Sequence, residues 1–428
     1  MGALTQNGSR KPSNRPSVIF AGVVTTSLFL WTFFKLPLDS IPFLSRMKPD
    51  SCKCNQSDPA FNLRFDPPIS TFYDDPTFGY TFHTPIKDWD QKRTAWLELH
   101  PTFFPKSHER VFLVTSSKST PCESPTGDHY LLRTYRNKVD YCRIHGYDIF
   151  YNNVLFDPKM TRGWGKLPTV RAAMLAHPEA EWIWWLDEDT VITDMEFKIP
   201  FHKYNDYNFI VHGWPNEVYV KKSWVGLNDG SFLIRNCQWS LDLLDMWVDM
   251  GPRSPNLDMW TKVLLDEFKH EPTDQTALAY LFWKNQHESF GKKMLLEEGY
   301  YLEGYWIEIV DTLEDISEKN LEIEKTEGIL RRRHAEKVSE AYALLRDSSL
   351  ENAGNEFGSL RRPFVTHFAG CQPCNGEHNP LFTGEDCRNG MTKALSFADN
   401  QVLRNYGFVQ RSLLDPSVVS SISFDYPP

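Results

Sequence analysis

The sequence predicts an α/β fold in which helices flank a mixed, mainly parallel β-sheet. From residue 110 onward, short apolar runs alternate with segments in which apolar residues recur at helical spacing. Three of the apolar runs, 111–115, 148–154 and 181–186, have the length and residue types of strands. Strands that alternate with helices in this way form parallel sheets covered by helices.

The two helices between these strands have recognisable ends. Asp128 is the predicted N-cap of the first helix, and Gly146 is its predicted end. The second helix is predicted over 166–177, with Pro168 in the first turn, where proline is tolerated. Further strands are predicted at 209–211, 231–234 and 364–366, further helices at 241–250 and 276–282, and a charged, solvated helix pair at 312–350.

Composition narrows the class of protein. The chain has 428 residues and a formal net charge of −10, which argues against nucleic acid as a partner, because phosphate binding needs clustered Lys and Arg. Eight cysteines, an even number, permit disulfides in an oxidising compartment. Cys371, Cys374 and Cys387 lie close together in sequence, so zinc binding is an alternative there and the pairing stays open.

The N-terminal part predicts a membrane anchor. Residues 18–34 form a charge-free apolar run, and the residues before it are basic. The alternative is a cleaved signal peptide, but no small-residue cleavage site follows the run. We therefore expect a single-pass type II protein of the Golgi membrane with a lumenal catalytic domain, and a glycosylation sequon at Asn55 fits that side. The predicted segments are a cytosolic tail (1–17), a transmembrane signal-anchor (18–36), a stem (37–95) and a catalytic domain (96–428).

The strongest chemical signal is an acidic triplet that follows the apolar strand 181–186. Asp187 and Asp189 stand two positions apart, with Glu188 between them, and in extended backbone two such residues face the same side. Carboxylate oxygens suit Mg²⁺ or Mn²⁺, and a divalent ion there can bridge the diphosphate of a nucleotide sugar. The alternative is an acidic turn that only caps the strand.

Other residues could complete such a site. His367, at the end of the strand predicted at 364–366, is the candidate third ligand, although a single His after a strand is more often structural. The loop 226–231 carries small and amide residues that allow a ligand to approach the backbone. Asp274 and Gln275 precede an apolar helix. A role in the site and a role in capping that helix are equally good interpretations of this segment.

Several long motifs, in order, resemble plant glycosyltransferase family 34. They are WIWWLDEDTVITDMEF, LNDGSFLIRNCQWSLDLLDMWVDMGP, DQTALAYL, RRRHAEKVSE, THFAGCQPCNG and FADNQVLRNYGF. The resemblance covers residues 85–428 and favours the galactomannan galactosyltransferase branch of the family. It implies a GT-A fold and transfer with retention of anomeric configuration, forming α-1,6 linkages on β-1,4-linked backbones.

The resemblance also implies roles for individual residues. It implies that Asp187, Asp189 and His367 hold Mn²⁺, or Mg²⁺ in its place. The implied donor-binding residues are Thr115, Ser116 and Lys166 near the nucleotide, Glu188 within the acidic triplet, and Gly370 and Gln372 near the phosphates. The implied residues around the transferred sugar and the acceptor are Asp274, Gln275, Asn228, Asp229, Gly230, His212, Gly213 and Trp214.

Two positions depart from the family pattern. Glu188 stands where the family usually has Ser, which adds a charge beside the expected metal. Gln372 stands where the xylosyl branch has Lys, so the galactosyl branch is favoured. The expected reaction is transfer of galactose from UDP-galactose to O6 of a mannose in β-mannan, by front-face attack.

One alternative concerns the mechanism of the same enzyme, and three concern its activity. In the first, Asp229 or Asp274 acts as the nucleophile of a double displacement. A xyloglucan xylosyltransferase would use UDP-xylose and a glucan. A glycoside hydrolase would need two carboxylates flanking the bond. A Golgi scaffold of a polysaccharide synthase would need no catalysis. The expected partners are the β-mannan polysaccharide, the Golgi membrane, further copies in a homo- or hetero-oligomer, and a mannan synthase.

Overall fold

The computed structural model describes residues 78–100, 110–326, 336–337 and 361–422. The predicted tail, the membrane anchor, most of the stem and the Asn55 sequon lie outside these residues, as does most of the second half of the predicted helix pair. Among the helices that the structure does describe, none has both the length and the apolar character needed to cross a membrane.

A six-stranded sheet forms the centre of the domain. Its strands are β1 (Val111–Ser116), β2 (Asp148–Asn152), β3 (Trp182–Leu186), β5 (Phe209–Gly213), β6 (Leu227–Arg235) and β7 (Met294–Glu297). They lie side by side in the order β2-β1-β3-β6-β5-β7. The pairs β1–β2, β1–β3 and β5–β7 are parallel, whereas β6 runs antiparallel to both of its neighbours. The predicted mixed, mainly parallel sheet is therefore confirmed.

A smaller sheet carries the second half of the site. It contains β4 (Thr190–Ile192), β9 (Val365–His367) and β8 (Gly304–Tyr305), with β9 in the middle. β9 is antiparallel to β4, which places His367 opposite Thr190, and parallel to β8, which places His367 opposite Tyr305. A separate two-stranded sheet pairs β10 (Phe408–Gln410) with β11 (Val419–Ser421).

Helices surround the sheets, and their ends follow from local sequence. The N-cap of the helix after β1 is Ser124, whose side chain accepts from the Gly127 amide, so the prediction of Asp128 as the cap is wrong and Asp128 lies in the first turn. Gly146 ends that helix in the left-handed region, at φ 70°, as predicted. The main helices are α1 (Trp89–Leu99), α2 (Pro125–His145), α3 (Lys166–Ala176), α4 (Gln238–Val248), α5 (Leu257–Phe268), α6 (Asp274–Asn285), α7 (Trp306–Ile309), α8 (Leu313–Thr326) and α9 (Gly384–Leu403).

Strand β3 is buried on both faces of the sheet. Trp182, Trp184 and Leu186 pack into the core on one side, and Ile183 and Trp185 pack into the core on the other. A continuous apolar run is what a central strand covered on both faces requires. This double burial holds the end of β3, and with it the acidic triplet, in a fixed position.

Residues 78–95 fall within the predicted stem, yet the structure packs them against the catalytic domain. Trp89, which begins α1, is fully buried and donates from its indole nitrogen to Asn236 Oδ1 at 2.8 Å. Arg93 donates to the carbonyl oxygens of Pro178 and Ala180. These residues belong to the folded domain, which therefore begins before the predicted boundary at residue 96.

Four cysteines form two disulfides around one loop. Cys122 pairs with Cys374, and Cys371 pairs with Cys387. The sulfur atoms that could have bound zinc are therefore used in covalent bonds, and the zinc alternative is wrong. Cys142 and Cys237 are free thiols.

Candidate active site

Two strand ends and one distant strand bring the three predicted metal ligands together. Asp187 follows β3, Asp189 precedes β4, and His367 ends β9. One ligand atom from each residue lies within 4.8 Å of the others, and His367 Nε2 is 3.3 Å from Asp189 Oδ1. Two carboxylates and one imidazole form a donor set that suits Mn²⁺ better than Mg²⁺. The residues present therefore fit the expected cation.

The imidazole of His367 is held from several directions. Its Nδ1 lies 3.0 Å from Glu303 Oε1, and both side chains are buried. Burial alone lowers the pKa of His367, but the carboxylates of Asp189 and Glu303 outweigh it and raise the pKa well above its usual value. A Cβ atom on Gly230 would lie 2.3 Å from His367 Cε1, so only glycine leaves room for the ring. Gly230, which was predicted to lie near the sugar, therefore also makes room for the His367 ring.

Asp187 is also held by its neighbours. The Trp185 indole nitrogen donates to Asp187 Oδ1 at 2.6 Å, and the Asp187 amide donates to the Gly230 carbonyl at 2.8 Å. Trp185 is nearly fully buried, so its contact with the carboxylate is fixed by the core. The first acidic residue is thereby oriented before any ligand binds.

Glu188 points away from solvent. Burial raises its pKa to about 7, and the neighbouring charges of Asp189 and Asp187 add to the increase. Its Oε2 atom has no hydrogen-bond partner among the described residues. The ammonium group of Lys138 donates to the backbone carbonyl of Thr190 at 2.8 Å and lies 3.4 Å from that of Glu188. Lys138 therefore stabilises the backbone of the acidic turn through these two carbonyl groups.

Lys166 lies in a buried cluster of carboxylates. Its Nζ atom is 2.9 Å from Asp274 Oδ2, 3.1 Å from Asp229 Oδ1 and 3.6 Å from Asp187 Oδ1. Burial lowers its pKa, but the three carboxylates outweigh burial and raise the pKa well above its ordinary value. The side chain predicted near the nucleotide thus joins the acidic triplet to the Asp229 and Asp274 loops.

Asp229 and Asp274 are not equivalent. Burial raises the pKa of Asp229 well above its ordinary value, and Asp274 adds to the effect. Burial also acts on Asp274, but the Lys166 ammonium outweighs it and the pKa of Asp274 is lowered. The pKa values of the two carboxyls are therefore shifted in opposite directions.

The segment around Asp274 is held in place by direct contacts. A Cβ atom on Gly163 would lie 2.3 Å from the Asp274 carboxylate oxygens. Thr273 caps α6 by accepting from the Thr276 amide at 3.0 Å, which confirms the capping interpretation for this segment. Gln275 donates to the Trp224 carbonyl at 3.0 Å and so binds the loop that leads into β6.

Thr115 and Ser116 lie at the carboxyl end of β1, on the same sheet edge as Asp187. Thr115 is fully buried, and its hydroxyl has no hydrogen-bond partner within the described part of the chain. Ser116 is half-buried. Ligands in open α/β sheets bind outside the carboxyl ends of the strands, which is where these two side chains stand.

Gly370 and Gln372 belong to the loop after β9. Gly370 has φ +85°, which glycine adopts without strain. Gln372 is exposed, and its amide donates to the Glu377 carbonyl at 2.9 Å. An open pocket of about 570 Å³ is lined by Gly370, Gln372, Gly376, Glu377, His378 and Asn379. The two disulfides hold this loop on both sides of Gln372.

The residues predicted near the acceptor have different environments. His212 is buried and donates from Nδ1 to the Glu297 carbonyl at 2.8 Å, so it orders the end of β5. Gly213 packs closely against the backbone of Leu227, and Asn228 Oδ1 accepts from the Gly230 amide at 2.8 Å. Trp214 is 47% exposed and is the member of this group that can contact a ligand.

Two buried residues of the site were not predicted from the sequence. Glu303 stands 64 positions before His367, and only the pairing of β8 with β9 brings them together. Lys138 lies on α2, in a segment whose other features indicate an ordinary amphipathic helix. No local motif marks either residue, although a charged side chain on the apolar face of a helix is a signal that could have drawn attention to Lys138.

The sheet, with its carboxylate–imidazole cluster at one edge, defines an α/β domain with a candidate metal site. Residues 107–378 match the model of the galactosyl transferase GMA12/MNN10 family, so this protein is a glycosyltransferase. The chain belongs to glycosyltransferase family 34, as the sequence motifs predict.

Curated relatives match over most of their length. Galactomannan galactosyltransferase 1 of Cyamopsis tetragonoloba is 48% identical over 435 residues, covering 99% of this chain and 98% of the relative. Putative glycosyltransferase 7 of Arabidopsis thaliana is 50% identical over 416 residues, covering 96% and 92%. Xyloglucan 6-xylosyltransferase 2 of Arabidopsis thaliana is 42% identical over 353 residues, covering 80% and 68%.

Solved structures are more distant. The galactosyltransferase LgtC in complex with donor and acceptor sugar analogues is 11% identical, with a TM-score of 0.30 over 65% of this chain and 95% of that one. A glycosyltransferase involved in glycosylation of the major capsid of PBCV-1 is 13% identical, with a TM-score of 0.36 over 62% and 95%.

Proposed function

We propose that this protein is a retaining α-1,6-galactosyltransferase. It transfers galactose from UDP-galactose to the β-1,4-mannan or glucomannan backbone of the cell-wall hemicellulose galactomannan. The observation that carries the proposal is the similarity, 48% identity over nearly the whole of both chains, to a galactomannan galactosyltransferase. The convergence of Asp187, Asp189 and His367 supports a nucleotide-sugar donor.

The donor occupies the sheet edge at which β1 and β3 end. Asp187, Asp189 and His367 would hold Mn²⁺, which when bound offsets the negative charge of the diphosphate. The buried hydroxyl of Thr115, which lacks a partner, is a ready hydrogen-bonding group for the nucleotide. The loop with Gly370 follows His367 in the chain and offers backbone groups to the phosphates.

The contacts of the two aspartates favour front-face attack. Asp229 is 4% exposed, and its Oδ1 is paired with Lys166 Nζ at 3.1 Å, so this carboxyl is already engaged within the protein. Asp274 is charged, but its Oδ2 is bound to Lys166 at 2.9 Å. In the proposed step the bond from the anomeric carbon to the phosphate oxygen breaks, and a bond to the acceptor O6 forms on the same face. The acceptor proton passes to the departing phosphate oxygen.

A double displacement would leave a different trace. It would place a glycosyl group on Asp229 or Asp274, and an adduct on either peptide, found by mass spectrometry of enzyme quenched with donor, would contradict front-face attack. Under the proposed mechanism, both peptides keep their unmodified mass.

Xylosyl transfer is the second candidate, because a xyloglucan 6-xylosyltransferase is 42% identical to this chain. Gln372 favours galactose, because the xylosyl branch is expected to carry Lys at this position. A donor panel separates the two activities: purified protein with Mn²⁺, mannan and glucan oligomers, and UDP-galactose, UDP-xylose or UDP-glucose. Transfer of xylose to glucan, with no transfer of galactose to mannan, would reject the proposed donor and acceptor.

Activity also separates this proposal from the remaining classes. A hydrolase would release free sugar from a galactomannan without a nucleotide donor. A scaffold would restore polymer galactosylation in cells even as the Asp187→Asn variant. We expect neither result, because the carboxylate pair and His367 lie close enough together to share one cation.

We further propose that the protein is a glycoprotein of the Golgi membrane, anchored by residues 18–36, with its catalytic domain in the lumen. The apolar run and the basic residues before it support this topology. In the lumen it would assemble as a homo- or hetero-oligomer and with the mannan synthase that supplies its acceptor. Protease protection of a C-terminal tag in sealed Golgi vesicles tests the topology, and a digested tag would reject it.

A further inference from the structure

The buried carboxylate of Glu303 is the feature of the site that the proposed function does not yet use. Glu303 is 4% exposed and His367 is 5% exposed, so both groups are removed from solvent. Glu303 Oε1 lies 3.0 Å from His367 Nδ1, on the opposite side of the ring from Asp189. A glutamate in such an environment needs a specific partner, and this imidazole is one.

The backbone explains why the two side chains meet. Glu303 immediately precedes β8, which runs parallel to β9 with Tyr305 opposite His367. The approach of the two strands is close, because a Cβ atom on Gly304 would lie 3.0 Å from the Val365 carbonyl oxygen. The contact therefore depends on the pairing of two strands that are far apart in sequence.

We propose that Glu303 is a positioning residue, which fixes the ring orientation and the tautomer of His367. By accepting a hydrogen bond from Nδ1–H, Glu303 leaves Nε2, on the side of Asp189, as the nitrogen that binds the cation. Gly230 leaves room for this edge of the ring, since any side chain at position 230 would clash with Cε1. The ring is thus presented to the cation in one orientation. The inference rests on the proposed function, since it assigns a role within the same metal site.

Fixing the orientation and tautomer of His367 in advance is expected to raise the affinity of the site for the cation. A free imidazole can rotate and can carry its proton on either nitrogen, and both must be restricted when it becomes a ligand. Partners that hold the second nitrogen of a metal-binding histidine typically change metal affinity by about 10- to 100-fold. Removal of the acceptor at 303 should therefore weaken cation binding while the acidic pair remains in place.

The test measures cation binding and not only turnover. The full chain is titrated with Mn²⁺ in the presence of UDP, and free Mn²⁺ is followed by electron paramagnetic resonance. We expect Glu303→Leu to raise the dissociation constant of Mn²⁺ by about 10- to 100-fold. Glu303→Gln keeps an acceptor oxygen for Nδ1 and should show a smaller increase. Saturating Mn²⁺ should restore much of the turnover of both variants.

A matched control tests the effect of neutralising a buried glutamate elsewhere. Glu196 is 8% exposed and accepts from Arg362 at 2.8 Å. Glu196→Gln should lower thermal stability without changing Mn²⁺ affinity. A purely structural role for Glu303 would give its variants the same pattern as this control.

Each outcome decides one question. Folded Glu303→Leu that binds Mn²⁺ as tightly as the wild type would overturn the role of Glu303 and leave the proposed function intact. If circular dichroism shows that Glu303→Leu is unfolded, Glu303→Ala, which also removes the acceptor, decides the matter, and wild-type affinity would again overturn the role. Wild-type protein that takes up no Mn²⁺ even with UDP would overturn the proposed metal site together with this inference.

Discussion

Replacement of Lys166 by methionine tests whether its ammonium group stabilises the buried carboxylate cluster. Methionine keeps much of the volume and removes the charge, which lies 2.9 Å from Asp274 and 3.6 Å from Asp187. Lys166 is 3% exposed, so water cannot replace the lost ammonium without a change in packing. We expect the variant to fold less stably, because the carboxyl groups beside Lys166 then lose their buried counter-ion.

The magnitude follows from the geometry. Opposite unit charges about 4 Å apart attract by about 4 kcal/mol at an effective dielectric constant of about 20. Removal of one partner from a buried ion pair typically costs about 3–5 kcal/mol. We therefore expect a loss of about 3–5 kcal/mol in the free energy of unfolding.

The assay is equilibrium unfolding in urea, followed by tryptophan fluorescence. Lys393→Met is the matched control, since Lys393 pairs at 3.1 Å with Asp311, whose side chain is 85% exposed. Exposed pairs of this kind contribute about 0–1 kcal/mol. A loss for Lys166→Met no larger than that of the control would refute the view that this lysine offsets buried charge.

The pH dependence has a defined sign. The pKa of Lys166 is raised in the folded state, so its stabilisation is present below its unfolded pKa and is lost only as the pH rises through the folded value. The pKa of Asp274 is lowered, so its stabilisation is present above its unfolded value and is lost as the pH falls through the folded one. The difference between wild type and Lys166→Met should therefore shrink in acid, where protonation removes the carboxylate charges.

Three further predictions concern the metal site and the loop beside it. Asp187→Asn should abolish Mn²⁺ uptake and turnover. Chelation of the wild type with EDTA should abolish both reversibly. Turnover that survives EDTA would contradict the requirement for a cation. Gly230→Ala should displace the His367 ring, because the new methyl group clashes with Cε1. Mn²⁺ binding should weaken by about tenfold or more, the range seen when a metal-binding residue loses its supporting contacts. Wild-type affinity in calorimetry would argue against a fixed ring. Cys122→Ala should remove the link to Cys374 and lower the free energy of unfolding by about 2–5 kcal/mol, measured in urea, and no change would mean that the loop is held by its other contacts.

Parts of the fold could be predicted because they depend on local pattern. The run 181–186 is apolar at every position but the first, and a strand covered on both faces needs this composition. Gly146 was predicted as a helix end from residue type, and this assignment is confirmed. The cap at Ser124 was missed because Asp128, four positions later, is an equally good capping residue type.

Parts of the site could not be predicted from residue type. Lys166 carries no mark in sequence that separates a nucleotide-binding lysine from one buried among carboxylates. The structure shows its ammonium group in contact with Asp187, Asp229 and Asp274, which come from three different segments. Charge balance within such a cluster is a property of spatial neighbours, so only the folded chain defines it.

The sequence by itself determined the family, the mixed α/β class and the acidic pair at the end of β3, because each is encoded in contiguous residues. The tertiary structure decided that Lys166 is buried among three carboxyl groups and that Glu303 stands behind His367. It also decided that residues 78–99 pack on the domain, through Trp89 and Asn236. These features depend on strand pairing and burial, which act between residues that are distant along the chain.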